Sequence, residues 1–254
     1  MRPGTQTNRS YTIWFSQRTG STWFAGMLEA TGTAGMPREH LNFADAQAAL
    51  THYGVTDSES LATAVRSAGT GADGVFGIKH SFHQPAFDSL LEVLTPDWKS
   101  RFGSLGRLAA WEQAFPEHRH IFITRRNKVR LAVSWWRAIQ SEEWHRKYGA
   151  PAAEADLSGA FDFWAIDHLL NEAVMREAGI AELFAPAGVA PLTLAYEDIV
   201  LSPEGAFHLA LDHLGLPHLP LPAPQFAPIA DELSEKWTQR YRKKKQGKWT
   251  NRGW

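Results

Sequence analysis

Four short apolar runs alternate along the chain with longer stretches in which apolar residues recur every three or four positions. Short apolar runs are typical of buried strands, and the longer period is typical of amphipathic helices. The predicted strands are 11–15, 75–79, 120–124 and 191–195. Because helical patterns separate each strand from the next, the order predicts an α/β fold with a central parallel sheet flanked by helices.

The predicted helices have recognisable ends. The first places Phe24, Met27 and Leu28 on one face, with Gly32 just beyond its end. In the last clear pattern, Ser202 is the predicted cap, Pro203 lies in the first turn and Gly215 stops the helix. The other helical patterns cover 85–94, 105–115, 127–140 and 161–178. No internal repeat is visible, and a chain of 254 residues suits one large domain or two small ones.

Composition excludes several classes of function. The 254 residues carry a net charge of -1, which argues against a nucleic-acid partner for the whole molecule. There is no cysteine, so disulfides, thiolate zinc sites and a cysteine nucleophile are excluded. The sequence has no run of the roughly 18 apolar residues that a membrane helix needs, and its first ten residues lack the apolar core of a signal peptide. We therefore expect a cytoplasmic protein.

The last part of the chain is basic, because no acidic residue follows Glu235. Trp237, Tyr241 and Trp249 are interleaved with its lysines and arginines. One interpretation of residues 236–254 is a solvated or disordered tail. The other is an ordered, anion-binding loop that closes over a ligand.

The segment 16–22, "SQRTGST", follows the first strand and opens the first helix. Such a turn directs backbone N–H groups and the positive end of the helix dipole at one point, which favours anion binding. The candidate residues are Ser16, Gln17, Arg18, Thr19, Gly20, Ser21 and Thr22. The turn lacks the G-x-x-x-x-G-K-[ST] pattern, which argues against magnesium-dependent chemistry on a triphosphate. The alternative is an ordinary strand-to-helix turn with a serine cap.

A second candidate anion site follows the third strand. Arg125 and Arg126 end that strand, and Ser134 lies two turns into the next helix, where it could reach the same oxyanion as Arg126. Arg130 and Arg137 add positive potential, although an amphipathic helix with exposed arginines would give the same pattern. Two phosphate sites together favour a nucleotide with both a 5′ and a 3′ phosphate.

Six segments, in their order along the chain, resemble those of the PAPS-dependent sulfotransferases, and they are most similar to the trehalose 2-sulfotransferase type. The resemblance rests on "SQRTGST", "GTAGMPREHLN", "GVFGIKH", "RRNKVRLAVSWWRAIQ", "YEDIV" and "SEKWTQRYRK". It implies one sulfotransferase domain with a P-loop-like, three-layer fold, a homodimer, and 3′-phosphoadenosine 5′-phosphosulfate (PAPS) as sulfuryl donor. The segment 16–22 would hold the 5′-phosphosulfate, with Arg18 acting in catalysis. Arg126 and Ser134 would hold the 3′-phosphate, with Arg125 as a rival for Arg126.

The resemblance also assigns the acceptor side and part of the tail. Glu39 falls where the trehalose-type enzymes carry their catalytic carboxylate. Arg242 and Lys243 match the loop of animal cytosolic sulfotransferases that closes on the 3′-phosphate, although Lys244 replaces its first glycine. The residues after Glu39 are not the aromatic ones of the trehalose enzyme, which leaves open which carbohydrate or glycoconjugate hydroxyl is the acceptor.

Glu39, His40, Lys79 and His80 are the candidate substrate-binding residues. His40, His80 and His83 are rival bases, and Lys79 could equally be a solvated lysine at a strand end. His80 and His83 have metal-ligand spacing, but no further ligands cluster with them in the sequence, and we expect no metal. Two other functions remain open at this stage: a P-loop kinase of a small metabolite, and a non-catalytic nucleotide-binding module.

Overall fold

The computed structural model describes residues 9–227, 229–247 and 249. Four parallel strands form a sheet in the order β2-β1-β3-β4. They are β1 (Ser10–Phe15), β2 (Phe76–Ser81), β3 (His118–Thr124) and β4 (Leu192–Ala195). Each predicted strand overlaps an observed one, and the prediction of a central parallel sheet flanked by helices is confirmed.

Helices connect and flank the strands. They are α1 (Ser21–Ala30), α2 (Ala46–Tyr53), α3 (Ser58–Gly69), α4 (Gln84–Leu94), α5 (Trp98–Phe102), α6 (Arg107–Ala114), α7 (Lys128–Ser141), α8 (Phe163–Phe184), α9 (Tyr196–Leu201), α10 (Pro203–Leu214) and α11 (Glu232–Gln246), with a 3-10 turn at Ala185–Ala187. The sequence patterns did not predict α2, α3, α5, α9 or α11. Ser202 lies at the N-cap position of α10, but its side chain makes no capping hydrogen bond.

The two faces of the sheet bury different clusters, because successive side chains on a strand point to opposite faces. Trp14 packs on one face with the apolar residues of α3, α4 and α6 and the end of α8. Tyr11 and Ile13 pack on the other face with α1 and α10. Helices thus cover both faces, which gives the predicted three layers.

A third cluster fixes α11 against α7 and α8. Trp237 and Tyr241 are buried there, together with Leu131 and Ile166. Burying each aromatic side chain stabilises this docking by on the order of 2–3 kcal/mol. Residues 236–246 of the basic segment are therefore a packed helix rather than a loop or a solvated tail, whereas residues 248 and 250–254 lie outside the described residues.

Chain order places the site at one edge of the sheet. From β1 the chain passes to β2 on one side and then to β3 on the other, so the connections diverge between β1 and β3. In open parallel sheets, ligands bind at the carboxyl ends of the strands at such a switch point. The turn after β1 and the residues after β3 both lie at this edge. No helix among the described residues has the length and apolar character to cross a membrane.

Candidate active site

The turn after β1 is tight and leads directly into α1. The hydroxyl of Thr19 donates to the carbonyl of Ser16 at 2.9 Å, and both side chains are buried. Arg18 and Gly20 both have positive φ, of 64° and 81°. A Cβ at position 20 would lie 2.6 Å from the Tyr196 ring, so only glycine fits between the turn and α9.

Arg18 joins the turn to α7. Its Nε donates to Ser134 Oγ at 3.0 Å, and its NH1 donates to the carbonyl of Trp144. Burial, followed by the nearby charge of Arg125, lowers the Arg18 pKa to about 10, so the guanidinium stays charged at neutral pH. The structure thus brings together the two segments that the sequence predicted as separate anion sites.

Arg125, rather than Arg126, lines a cavity together with Ser134. Arg125 lies over the Tyr196 ring at 4.5 Å and donates to the carbonyl of Arg18 at 3.3 Å. Its Nε is buried and has no partner among the described residues. Burial also lowers its pKa below the usual value.

Arg126 points out of the site, where its side chain is 62% exposed and forms a two-pronged pair with Asp198. Glu197 accepts from the backbone N–H groups of Arg126 and Asn127, each at 3.0 Å. The Glu197-Asp198 pair therefore ties the end of β4 to the start of α7, as expected for a structural role. The assignment of Arg126 to the site is not supported by this geometry, because Asp198 already binds its guanidinium.

Two small adjacent cavities lie between α7 and α11, with volumes of about 20 Å³ and 80 Å³. Ser134 lines both, Arg18 and Arg137 line the smaller, and Arg125 and Arg130 line the larger. The cap and the first turn of α11 supply acidic partners for two of these arginines. Arg137 NH2 donates to Asp231 Oδ2 at 2.8 Å, and Arg130 pairs with Glu235. These carboxylates partly neutralise a cluster that is otherwise strongly positive.

Glu39, Lys79 and Thr22 meet beside the first turn of α1. Lys79 Nζ lies 2.8 Å from Glu39 Oε1 and donates to Thr22 Oγ1 at 2.7 Å. Arg38 brings Glu39 there, because it pairs in parallel with Ile78 alongside β2. The Lys79 side chain is only 6% exposed, so it is not a solvated lysine at a strand end.

The predicted histidines lie elsewhere. Because neighbours on a strand face opposite sides, His80 points away from Lys79 and packs among Trp14, Phe87 and Trp111. This burial lowers the His80 pKa to about 4. His40 Nε2 lies 2.8 Å from the carbonyl of Met36. The structure therefore does not bring His80 to the site, and it gives the His40 ring a local backbone partner.

The remaining candidates lie at the edge of the site or away from it. His83 is at the N-cap of α4. Arg242 NH2 donates to Asn127 Oδ1, the cap of α7, at 3.4 Å, and Lys243 is exposed on α11. Neither Arg242 nor Lys243 lines the two cavities. Within the described part of the chain, no three His, Asp or Glu side chains are grouped so as to hold a metal ion.

Sequence reasoning missed two residues of α8 that hold the turn. Glu177 accepts from Ser16 Oγ at 3.2 Å, from Thr124 Oγ1 at 2.7 Å and from Lys128 Nζ at 2.6 Å. Its neighbour Arg176 donates to Gln17 Oε1 at 2.9 Å. One carboxylate thus fixes the ends of β1 and β3 and the start of α7. These contacts span long sequence separations, and no local motif marks them.

The fold and this site define a class: α/β proteins with a cluster of cationic side chains at the carboxyl edge of a central parallel sheet. The family model described as Stf0 sulphotransferase matches residues 10–244. The chain therefore belongs to the Stf0 sulphotransferase family, and it is a sulfotransferase.

Two curated relatives match over nearly their full length. Trehalose 2-sulfotransferase from Mycobacterium tuberculosis is 29% identical over 92% of this chain and 94% of its own. Trehalose 2-sulfotransferase from Mycolicibacterium smegmatis is 28% identical over 93% and 96%.

Two solved structures also align with this chain. The sulfotransferase from Alicyclobacillus acidocaldarius is 11% identical, with a TM-score of 0.44 over 91% of this chain and 90% of that chain. The sulfotransferase domain of the Synechococcus PCC 7002 olefin synthase is 16% identical, with a TM-score of 0.42 over 95% and 90%.

Proposed function

We propose that the protein transfers a sulfuryl group from PAPS to a hydroxyl of a carbohydrate or glycoconjugate, with trehalose as the first acceptor to test. The family supports sulfuryl transfer, and the names of the two curated relatives support a sugar acceptor. The observation that carries the proposal is structural. Arg18 and Ser134 form one group, Glu39 and Lys79 form another, and the single turn 16–22 contacts both.

On the donor side, the turn 16–22 holds the 5′-phosphosulfate, and Arg125 and Ser134 hold the 3′-phosphate. The hydrogen-bond donors of these residues fit such a ligand, because the buried Nε groups of Arg125 and Arg137 have no hydrogen-bond partner among the described residues. Guanidinium groups suit phosphate and sulfate oxygens through paired, charge-assisted hydrogen bonds. The charge of Arg18 stabilises the leaving phosphate by preorganised electrostatics.

The start of α11 has to move away from α7 for the nucleotide to bind. The two cavities are far smaller than the roughly 300–1,000 Å³ of typical ligand sites. The carboxylates of Asp231 and Glu235 lie against Arg137 and Arg130, where they compete with an incoming phosphate. Ligand phosphate oxygens replace these carboxylates on the arginines in the bound state.

On the acceptor side, Glu39 accepts the proton of the acceptor hydroxyl. As the acceptor oxygen bonds to sulfur, the bond between sulfur and the phosphate oxygen breaks, and adenosine 3′,5′-bisphosphate leaves. Sulfuryl transfer parallels phosphoryl transfer, in which positioning and electrostatics supply most of the catalysis. A positioned general base contributes about 10²–10⁴-fold. Lys79 orients the Glu39 carboxylate through its 2.8 Å contact.

We further propose that the enzyme works in the cytoplasm as a homodimer, as the family resemblance implies. Trp164 and Met175 support a dimer, because they are 73% and 68% exposed on α8 and lie three helical turns apart on the same side. Light scattering tests the dimer, which a monomeric mass would contradict.

The test is mass spectrometry of products from PAPS with trehalose, other sugars and a metabolite extract. We expect a sulfated sugar from the wild type. Glu39→Gln should lower kcat by at least about 10²-fold and leave the Kd for adenosine 3′,5′-bisphosphate within about twofold. Glu92→Gln, on an exposed carboxylate, is the matched control. Full activity of Glu39→Gln would remove Glu39 as the base.

Thermal shift separates the proposal from a kinase. Adenosine 3′,5′-bisphosphate should raise Tm more than ATP with Mg²⁺ at equal concentration, because the ligand that binds more tightly stabilises more by mass action. The reverse order would favour the kinase. Binding of the bisphosphate without turnover of any acceptor would favour a non-catalytic module.

A further inference from the structure

The loop after α7 carries a histidine that the proposed mechanism does not use. Glu142, with φ of 56°, ends α7, and the carbonyl of Trp144 then accepts from Arg18. Further along, the N–H of Tyr148 donates to the carbonyl of Gln225 at 2.9 Å, in the segment before α11. His145 thus lies in a loop whose backbone is held on both sides.

The His145 ring reaches the group around Lys79. Its Nε2 lies 3.4 Å from Thr22 Oγ1, and Thr22 also contacts Lys79, the partner of Glu39. The ring packs against Phe226, with centroids 5.8 Å apart. A continuous chain of contacts therefore runs from Glu39 through Lys79 and Thr22 to His145.

These hydrogen bonds leave the Thr22 proton available to the ring. An ammonium group only donates, so the Thr22 oxygen accepts from Lys79, and its hydroxyl proton can be donated to His145 Nε2. In the tautomer that accepts this hydrogen bond, the ring carries its own proton on Nδ1. Burial, followed by the charges of Lys79 and Arg18, lowers the His145 pKa to about 4, which keeps the ring neutral at pH 7.

Building on the proposed function, we propose that His145 is a further catalytic residue, whose Nδ1–H donates a hydrogen bond to the sulfuryl group in transfer. The carbonyl of Trp144, next to His145 in the chain, accepts from Arg18 on the donor side. The His145 ring contacts Thr22, which accepts from Lys79 on the acceptor side, so His145 lies beside both groups of the site. Sulfuryl oxygens accept hydrogen bonds and carry charge in the transition state. A neutral hydrogen-bond donor held in position stabilises that charge, and the proton of the acceptor hydroxyl still goes to Glu39.

The test compares His145→Phe with His145→Asn, which keeps an N–H donor near the position of Nδ1. His168→Phe, at an exposed position on α8, is the matched control. His145→Phe should lower kcat by about 10²-fold, the cost of losing one preorganised donor. His145→Asn should recover at least about tenfold of this loss, and the control should match the wild type.

Ligand binding gives a readout that needs no acceptor. Only PAPS carries the sulfuryl group, so His145→Phe should weaken PAPS binding while leaving adenosine 3′,5′-bisphosphate binding unchanged. Equal weakening of both ligands with a lower Tm, or equal loss of kcat in the Phe and Asn variants, would show a merely structural role. Wild-type kcat in His145→Phe would also overturn the proposal. Absence of sulfated product from the wild type would instead refute the proposed function, and this proposal with it.

Discussion

The pair between Glu39 and Lys79 should respond unequally to removal of its two charges. The Lys79 side chain is 6% exposed, whereas that of Glu39 is 29% exposed. Glu39→Gln leaves a buried ammonium without its counter-charge. Lys79→Met leaves a carboxylate that water can reach, and the apolar stem still packs on the Phe15 ring, 4.8 Å from Nζ in the wild type. Glu39→Gln should therefore destabilise the protein more than Lys79→Met does.

The magnitude follows from the burial of Lys79. Breaking a fully buried ion pair by removing one partner costs about 3–5 kcal/mol. Here Thr22 still accepts from Lys79 at 2.7 Å, and the introduced amide oxygen can accept as well. We expect Glu39→Gln to lower the free energy of unfolding by about 2 kcal/mol, or Tm by about 4–8 °C for a domain of this size. For Lys79→Met we expect about 1 kcal/mol or less.

Urea unfolding followed by tryptophan fluorescence measures these differences. Glu92→Gln is the matched control, because its pair with Lys99 is more than half exposed on both sides and should contribute less than about 0.5 kcal/mol. Combining Glu39→Gln with Lys79→Met should restore stability to that of Lys79→Met alone, since no buried charge remains. The reasoning is refuted if Glu39→Gln is as stable as Glu92→Gln, or if Lys79→Met costs more than Glu39→Gln.

Three further predictions concern the nucleotide site and the core. Arg125→Met should weaken adenosine 3′,5′-bisphosphate binding at least about tenfold by calorimetry. Arg126→Met, at an exposed position, should change this binding less than about twofold. The opposite ranking would contradict the assignment of Arg125 to the 3′-phosphate. Asp231→Asn keeps the cap of α11 but removes the charge against Arg137, so it should tighten bisphosphate binding severalfold, and weaker binding would argue against competition by α11. Burial lowers the His80 pKa from 6.5 to about 4, so the unfolded chain takes up the proton first and stability falls as the pH drops through this window. Between pH 6.5 and 4, the free energy of unfolding of His80→Phe, measured in urea, should therefore fall by about 1–3 kcal/mol less than that of the wild type. An unchanged pH dependence would show that His80 does not contribute.

Much of the fold could be predicted from local patterns. The strands were visible because parallel strands buried on both faces form apolar runs, and α1, α7 and α10 were visible from their spacing and ends. The helices α2 and α3 were missed although Asp45 and Asp57 cap them. Few apolar residues mark their buried sides, Ala49 in α2 and Leu61 and Val65 in α3, so the apolar period is weak. Helix α11 was missed because its lysines suggested a solvated tail, whereas Trp237 and Tyr241 bury it against α7 and α8.

The site was predictable only where it follows a strand directly. The turn 16–22 and Ser134 were predicted from their position after β1 and in α7. The sequence left Arg125 and Arg126 as alternatives, because the direction of the Arg126 side chain depends on Asp198, a partner far along the chain. Glu177 and His145 were missed for the same reason, since each reaches the turn across more than a hundred residues.

Sulfuryl transfer itself is the most direct test of this account. Wild-type protein incubated with PAPS and trehalose, or with a carbohydrate library, should yield a sulfated sugar and adenosine 3′,5′-bisphosphate in equal amounts by mass spectrometry. Release of the bisphosphate should rise with acceptor concentration and fall by at least about 10²-fold in Glu39→Gln. Absence of sulfated product across the library, with no bisphosphate released above the acceptor-free control, would contradict it.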